Sequence, residues 1–157
     1  MEIQEHKKQI AAKMFSFEQK CREAGLRLTP QRLEIYHELV SAKDHPSAYT
    51  LHKRLHKQMP TLSLDTVYRT LLTFEQYELI GRVTTQESQA RFDAETEPHN
   101  HLICSICKEI ADVKSASLVE NPVPDEILQW GMIKSKRTVF YGICNKCLEK
   151  NNKLTSH

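Results

Sequence analysis

The chain has 157 residues, 22 lysines and arginines against 20 aspartates and glutamates, and a formal net charge of +2. That length allows one domain or two small ones, neither able to bury a large core alone, and the near-neutral balance means that any case for nucleic acid must rest on local arrangement. There is no run of 18 apolar residues to span a membrane, Met1-Glu2-Ile3-Gln4 is not a secretory signal, and no repeat of 20–50 residues occurs, so a soluble cytoplasmic protein is expected.

Ile10, Met14, Phe17, Cys21 and Ala24 recur at helical spacing and predict a first amphipathic helix, ended by Gly25. Cys21 lies on that stripe and reads as a buried, inert thiol. Thr29-Pro30 reads as N-cap and first position of a second helix, with Leu33, Tyr36, Leu39 and Val40 inward and His37 in solvent. This helix stops near Lys43-Asp44-His45-Pro46. A residue before proline favours extended backbone, so His45 is expected in an extended corner. Ser47 caps a third helix with Ala48, Leu51 and Leu55 inward. His52 and His56 sit four apart on it, but with no acidic third ligand nearby they read as a solvated face.

Ser63 caps a fourth helix. Leu64, Val67, Leu71 and Phe74 are expected inward. Asp65, Thr66, Arg69, Thr73 and Gln76 point away, with Tyr68 on the flank. This outer face suits a major groove, with arginine for guanine and tyrosine for a thymine methyl; the plainer reading is a solvated helix face. Two strands follow, 79–84 and 89–92. Three helices and a hairpin make a winged helix-turn-helix, and Arg22, Arg27 and Arg32 could reach phosphates. Glu95-Thr96-Glu97-Pro98 reads as a hinge. The predicted layout is a winged-helix domain at 1–94, a hinge at 95–98 and a second domain at 99–157.

The second half is built on Cys104-Ser105-Ile106-Cys107 and Cys144-Asn145-Lys146-Cys147, with 36 residues between the pairs. Four thiolates satisfy tetrahedral Zn²⁺ and leave no open position, which is a structural site. Paired disulfides fit poorly with a cytoplasmic chain carrying a fifth cysteine, and neither pair sits in the βαβ pattern of a redox motif. Strands at 101–104 and 110–113 form a hairpin around the first pair, and 133–143 forms a third strand. Asp125–Trp130 is expected helical, with Ile127, Leu128 and Trp130 as apolar contacts, and Pro122 and Pro124 keep the preceding stretch irregular. A short helix at 148–153 follows. The exposed edge of so small a sheet invites pairing with a second copy. Asp93, His99, His101 and Asp112 bracket the first pair as a harder N/O donor set, suited to Fe²⁺ or Mn²⁺.

The chain resembles the ferric uptake regulator family of metal-dependent bacterial repressors. The residues that carry the resemblance are Leu28-Thr29-Pro30-Gln31-Arg32, Asp44-His45-Pro46-Ser47-Ala48, Asp65-Thr66-Val67-Tyr68-Arg69, Arg91-Phe92-Asp93, His99-Asn100-His101-Leu102-Ile103-Cys104 and Tyr141-Gly142-Ile143-Cys144. It implies an α+β protein: an N-terminal winged helix-turn-helix, and a small C-terminal α/β dimerisation domain with structural zinc at Cys104, Cys107, Cys144 and Cys147. It also implies a homodimer on double-stranded DNA with a palindromic operator, and a regulatory Fe²⁺ or Mn²⁺ held by His45, Asp93, His99, His101 and Asp112. The expected DNA contacts are Arg27, Asp65, Thr66, Tyr68, Arg69 and Thr73.

Aspartate at 112, where iron-sensing relatives carry glutamate, resembles the peroxide-stress branch. There a bound Fe²⁺ oxidises its own histidine ligands, here His45 and His99. The alternative within the family is an iron- or manganese-level repressor with no peroxide response. Asn100, Lys136 and Arg137 stand where some relatives carry further ligands, so a third metal site is not expected, and Lys108 replaces a usual glycine. A hydrolytic metalloenzyme is disfavoured, because five ligands leave little room for a nucleophilic water and no spare carboxylate serves as base. A zinc-dependent interaction module is disfavoured by the helix-turn-helix face.

Overall fold

The computed structural model of the protein describes residues 2–154. The chain divides into two compact units, one running to Thr96 and the other starting at Glu97. The first holds α1 (Glu2–Glu23), α2 (Pro30–Ser41), α3 (Ala48–Leu55), α4 (Leu64–Gln76) and a hairpin of β1 (Gly81–Val83) and β2 (Arg91–Asp93). The second holds β3 (Asn100–Cys104), β4 (Ile110–Val113), short helices α5 (Ala116–Val119) and α6 (Asp125–Leu128), β5 (Val139–Gly142) and α7 (Asn145–Leu154).

Local signals set the helices of the first unit. Thr29, Ser47 and Ser63 each accept a hydrogen bond from the backbone N–H three residues on, at 3.2, 3.2 and 3.0 Å, which satisfies one orphan donor at each helix start. At the end of α1, Gly25 adopts φ +67°. Leu26 N–H donates to the Cys21 carbonyl at 2.8 Å and Gly25 N–H to that of Arg22 at 3.1 Å. This double bond pattern closes a helix on a left-handed residue. It also brings Leu26 and Cys21 into the core, where burial pushes the Cys21 thiol up.

The core of this unit is aromatic at its centre. Phe17 stacks on Tyr36 with ring centroids 3.8 Å apart, and Phe74 meets Phe17 edge-on at 5.1 Å. Ile35, Leu39, Leu51, Leu62, Val67, Leu71 and Phe92 surround them. Burial, then the nearby Glu95 and Cys21, push the Tyr36 hydroxyl up to about 12.

Several expectations need correction. Ala24 is exposed, because it lies past the last helical residue of α1. Leu64 is 41% exposed: as the first residue of α4 it precedes the turn that packs, and buried Thr70 takes a place on the inner face instead. His52 is not simply solvated, since its Nε2 lies 2.8 Å from the Leu62 carbonyl oxygen. The strands predicted over 79–84 and 89–92 shrink to three residues each, with Gly81 opposite Asp93, Arg82 opposite Phe92 and Val83 opposite Arg91. His45 is not extended but left-handed, φ +48°; bonds from β2, described below, override the preference of a residue before proline.

In the second unit the strand order is β4-β3-β5. β3 and β4 are antiparallel, with His101 opposite Asp112 and Ile103 opposite Ile110. β3 and β5 are parallel, with Leu102 beside Phe140 and Cys104 beside Gly142. Lys108 turns the hairpin with φ +63°, a left-handed position that glycine takes without cost. The third strand is far shorter than 133–143, because the stretch before Val139 belongs to the crossover. α5 gives one helical turn ahead of Pro122 and Pro124, where irregular chain was expected. α6 does not reach Trp130, and Ile127, Leu128 and Trp130 are exposed at 47, 51 and 83% rather than packed. α7 starts inside the second cysteine pair, earlier than 148.

Phe17→Ala should lower stability by about 3–5 kcal/mol, because it opens a cavity between two packed rings. Phe15, 66% exposed on the same helix, should tolerate alanine within about 0.5 kcal/mol. Urea unfolding followed by far-UV circular dichroism measures both.

Candidate functional site

The four cysteines of the two pairs converge within the second unit. Cys104 ends β3, Cys107 lies in the hairpin turn, Cys144 follows β5, and Cys147 sits in the first turn of α7. Their sulfurs all lie within 4.8 Å of one another. Cys104 and Cys147 are 3.9 Å apart, Cys107 and Cys144 3.7 Å. A tetrahedron with Zn–S arms of about 2.3 Å has edges of about 3.8 Å, so the cluster fits zinc and is too open for disulfides.

Backbone groups hold the two turns together. Ser105 donates to the Gly142 carbonyl from its N–H at 2.7 Å and from its hydroxyl at 2.9 Å. Cys144 N–H points at the Cys104 sulfur at 3.4 Å. That N–H, followed by the one of Cys107, pulls Cys104 down to about 6, while burial pushes Cys147 up to about 12. The backbone N–H groups thus favour the thiolate of Cys104, the form that zinc binds. The cluster suits structural Zn²⁺, which has no open coordination position there.

A second donor group in the same unit comes from β3, β4 and the residue before β3. His99 Nε2 and His101 Nε2 are 3.0 Å apart, and the Asp112 Oδ1 lies 3.5 and 3.6 Å from them. Cross-strand pairing of His101 with Asp112 produces this. His99 Nδ1 lies 2.7 Å from the Glu97 carbonyl oxygen. A carbonyl only accepts, so Nδ1 carries the proton and Nε2 keeps its lone pair for a ligand. Both histidines are buried and Asp112 is partly exposed. Imidazoles with a carboxylate suit Fe²⁺ or Mn²⁺.

The first unit has its own pair of donors. His45 Nε2 lies 3.7 Å from Asp93 Oδ2, and both side chains are buried. Asp93 ends β2, and its Oδ1 accepts from the Glu95 N–H at 2.8 Å. The corner that carries His45 is fastened to β2: Arg91 donates from Nε to the His45 carbonyl and from Nη2 to the Asp44 carbonyl, 2.5 and 2.7 Å, and Phe92 N–H donates to the Pro46 carbonyl at 3.1 Å. Sequence reasoning missed Arg91 as a support for the histidine, since 46 positions separate them.

The helix face of α4 is largely exposed. Arg69 Nε pairs with Asp65 Oδ2 at 2.8 Å, and both side chains are more than two-thirds exposed. Tyr68 is 43% exposed. Thr66 and Thr73 are half-buried; the Thr66 hydroxyl meets that of Ser63 at 2.8 Å, and the Thr73 hydroxyl donates to the Arg69 carbonyl at 2.9 Å. Arg27 is exposed in the loop before α2. A groove of about 730 Å³ runs beside this face, lined by Tyr49, Leu64, Asp65, Tyr68, Arg82 and residues of the β1–β2 turn. Tyr49 and Leu64 were not anticipated there. An exposed aromatic one residue into a capped helix is the signal that points to Tyr49.

Substituting Cys104 or Cys144 by serine should abolish retention of one zinc per chain, read by metal analysis after dialysis. It should also remove the hydrogen-exchange protection of β3 and β5 while leaving that of α2 and α4.

A model of the ferric uptake regulator family matches residues 23–138. The peroxide-responsive repressor PerR of Staphylococcus epidermidis is 33% identical over 137 residues, covering 83% of this chain and 87% of that protein. Among solved structures, the Helicobacter pylori ferric uptake regulator Fur aligns with a TM-score of 0.70 at 21% identity, covering 88% of this chain and 93% of that one. The ferric uptake regulator from Pseudomonas aeruginosa with manganese aligns with a TM-score of 0.66 at 29% identity, covering 82% and 97%. The fold, the thiol cluster and these matches agree, and the chain belongs to the ferric uptake regulator family.

Proposed function

We propose that the protein is a cytoplasmic, homodimeric, metal-dependent repressor that binds a palindromic operator and senses peroxide through His45 and His99. The observation that carries the reading is the division of the hard donors between the two units. His45 and Asp93 belong to the first, and His99, His101 and Asp112 to the second. One ion that draws ligands from both groups fixes the angle between the units. In a dimer that angle sets the separation of two α4 helices, so metal and operator affinities are coupled reciprocally.

The chain's own residues prepare the site. Glu97 orients the His99 ring, the β3–β4 register presents Asp112 to His101, and β2 presents Asp93 to His45. Fe²⁺ held there would supply the reduction of peroxide, one oxygen atom replacing a hydrogen on an adjacent imidazole carbon as C–OH and the other leaving as water, chemistry that Mn²⁺ would not supply. A histidine so altered is a poorer ligand, and the hold between the units weakens. The short carboxylate at Asp112 and the 33% identity to a peroxide-responsive repressor support this over a plain iron- or manganese-level sensor.

Dimerisation has support in the second unit. Leu102 and Phe140 are adjacent in register and 43 and 41% exposed, with Ile143 and Leu148 also exposed at 44% each. The outer edge of β5 has no partner strand among the described residues. An apolar face beside an open edge suits a second copy of the chain.

Fluorescence anisotropy on the palindromic duplex upstream of the protein's own gene tests the reading, with Fe²⁺- and Mn²⁺-loaded protein before and after a small excess of peroxide. The Fe²⁺ form should release DNA and stay released after a reductant is added, with one oxygen added to peptides that contain His45 and His99. The Mn²⁺ form should hold. Retention by both forms with unmodified peptides would leave a metal-level sensor. Arg69→Ala should weaken operator binding by about 1–3 kcal/mol.

A further inference from the structure

We propose that Arg91 is a positioning residue for His45: its guanidinium holds the main chain of the Asp44–His45 corner so that the imidazole is presented as a metal ligand. The inference rests on the proposed role of His45 as a ligand, and goes beyond it by naming what makes that ligand available.

His45 stands in left-handed backbone, a conformation that a residue with a Cβ rarely holds unaided. It persists where surrounding structure over-determines it. Arg91 supplies that structure with two donors of its rigid fork: Nε to the His45 carbonyl at 2.5 Å and Nη2 to the Asp44 carbonyl at 2.7 Å. Its third group, Nη1, meets Glu87 Oε2 at 3.0 Å, which fixes the guanidinium plane. From the other side, Arg54 grips the Asp44 carboxylate through both oxygens at 3.1 and 2.6 Å and pulls its pKa down. The corner is therefore clamped at two carbonyls and one carboxylate.

The guanidinium shape matters. A lysine carries one compact charge and cannot bind two carbonyls from a planar fork. Arg91 is also two residues from Asp93 on β2, so the strand that supplies one ligand supplies the clamp for the other. The side chain is only 17% exposed, which suits an internal support better than a phosphate contact.

The test is a double-mutant cycle on the zinc-loaded, full-length protein, with Mn²⁺ affinity measured by titration calorimetry. Arg91→Met should weaken Mn²⁺ binding about 10–100-fold, the usual effect of losing a group that orients a metal ligand. In a His45→Ala background the same change should weaken binding less than twofold, because the residue that Arg91 positions has gone. Saturating Mn²⁺ should restore operator affinity to Arg91→Met, which loss of a DNA contact would not allow. Arg91→Lys, should Arg91→Met not fold, is to show the same pattern at reduced size. A loss that persists undiminished in the His45→Ala background, or operator binding that saturating Mn²⁺ fails to restore, would overturn the positioning role. If His45→Ala alone leaves Mn²⁺ affinity unchanged, the failure lies with His45 as a ligand.

Discussion

The closure of four thiols around one point is the constraint on which the second unit depends. β3 and β5 run parallel, so the chain must leave the sheet after β4 and return by a crossover that contains only two single-turn helices. Such a loop costs closure entropy and returns little burial. Apart from the thiols, the apolar side chains buried in this unit among the described residues are Ile103 and Ile110. The cysteines stand at the ends of the two parallel strands, and an ion there fixes the register of both in one step. This is how so small a unit gains a defined shape.

The first unit is held differently. Three side-chain caps, one glycine-closed helix end and a ring cluster of Phe17, Tyr36 and Phe74 specify it from local signals and apolar burial. Its surface can then serve recognition. The Asp65–Arg69 pair illustrates the state of that surface. An exposed ion pair of this kind contributes little to stability, so Arg69 can leave Asp65 for another acceptor at small cost.

Much of this was readable from residue order, for reasons that can be named. Caps and the glycine stop are signals within four residues, and the two cysteine pairs carry a spacing that chemistry makes specific. The errors occur where packing or distant bonds decide. Leu64 satisfies the apolar period but sits one turn ahead of the packed surface. His45 follows the rule for residues before proline until Arg91, far along the chain, grips its carbonyl. Residues 133–138 are expected to continue the third strand, yet β5 pairs with β3 only from Val139 onward.

The bond from His99 Nδ1 to the Glu97 carbonyl has a mechanical meaning. Glu97 opens the second unit, in the short segment through which the chain passes from one unit to the next. The proton position on the His99 ring is therefore tied to the backbone conformation of the connecting segment itself. Turning that peptide away would cost Nδ1 this acceptor. Posture of the linker and the tautomer of this imidazole are thereby linked.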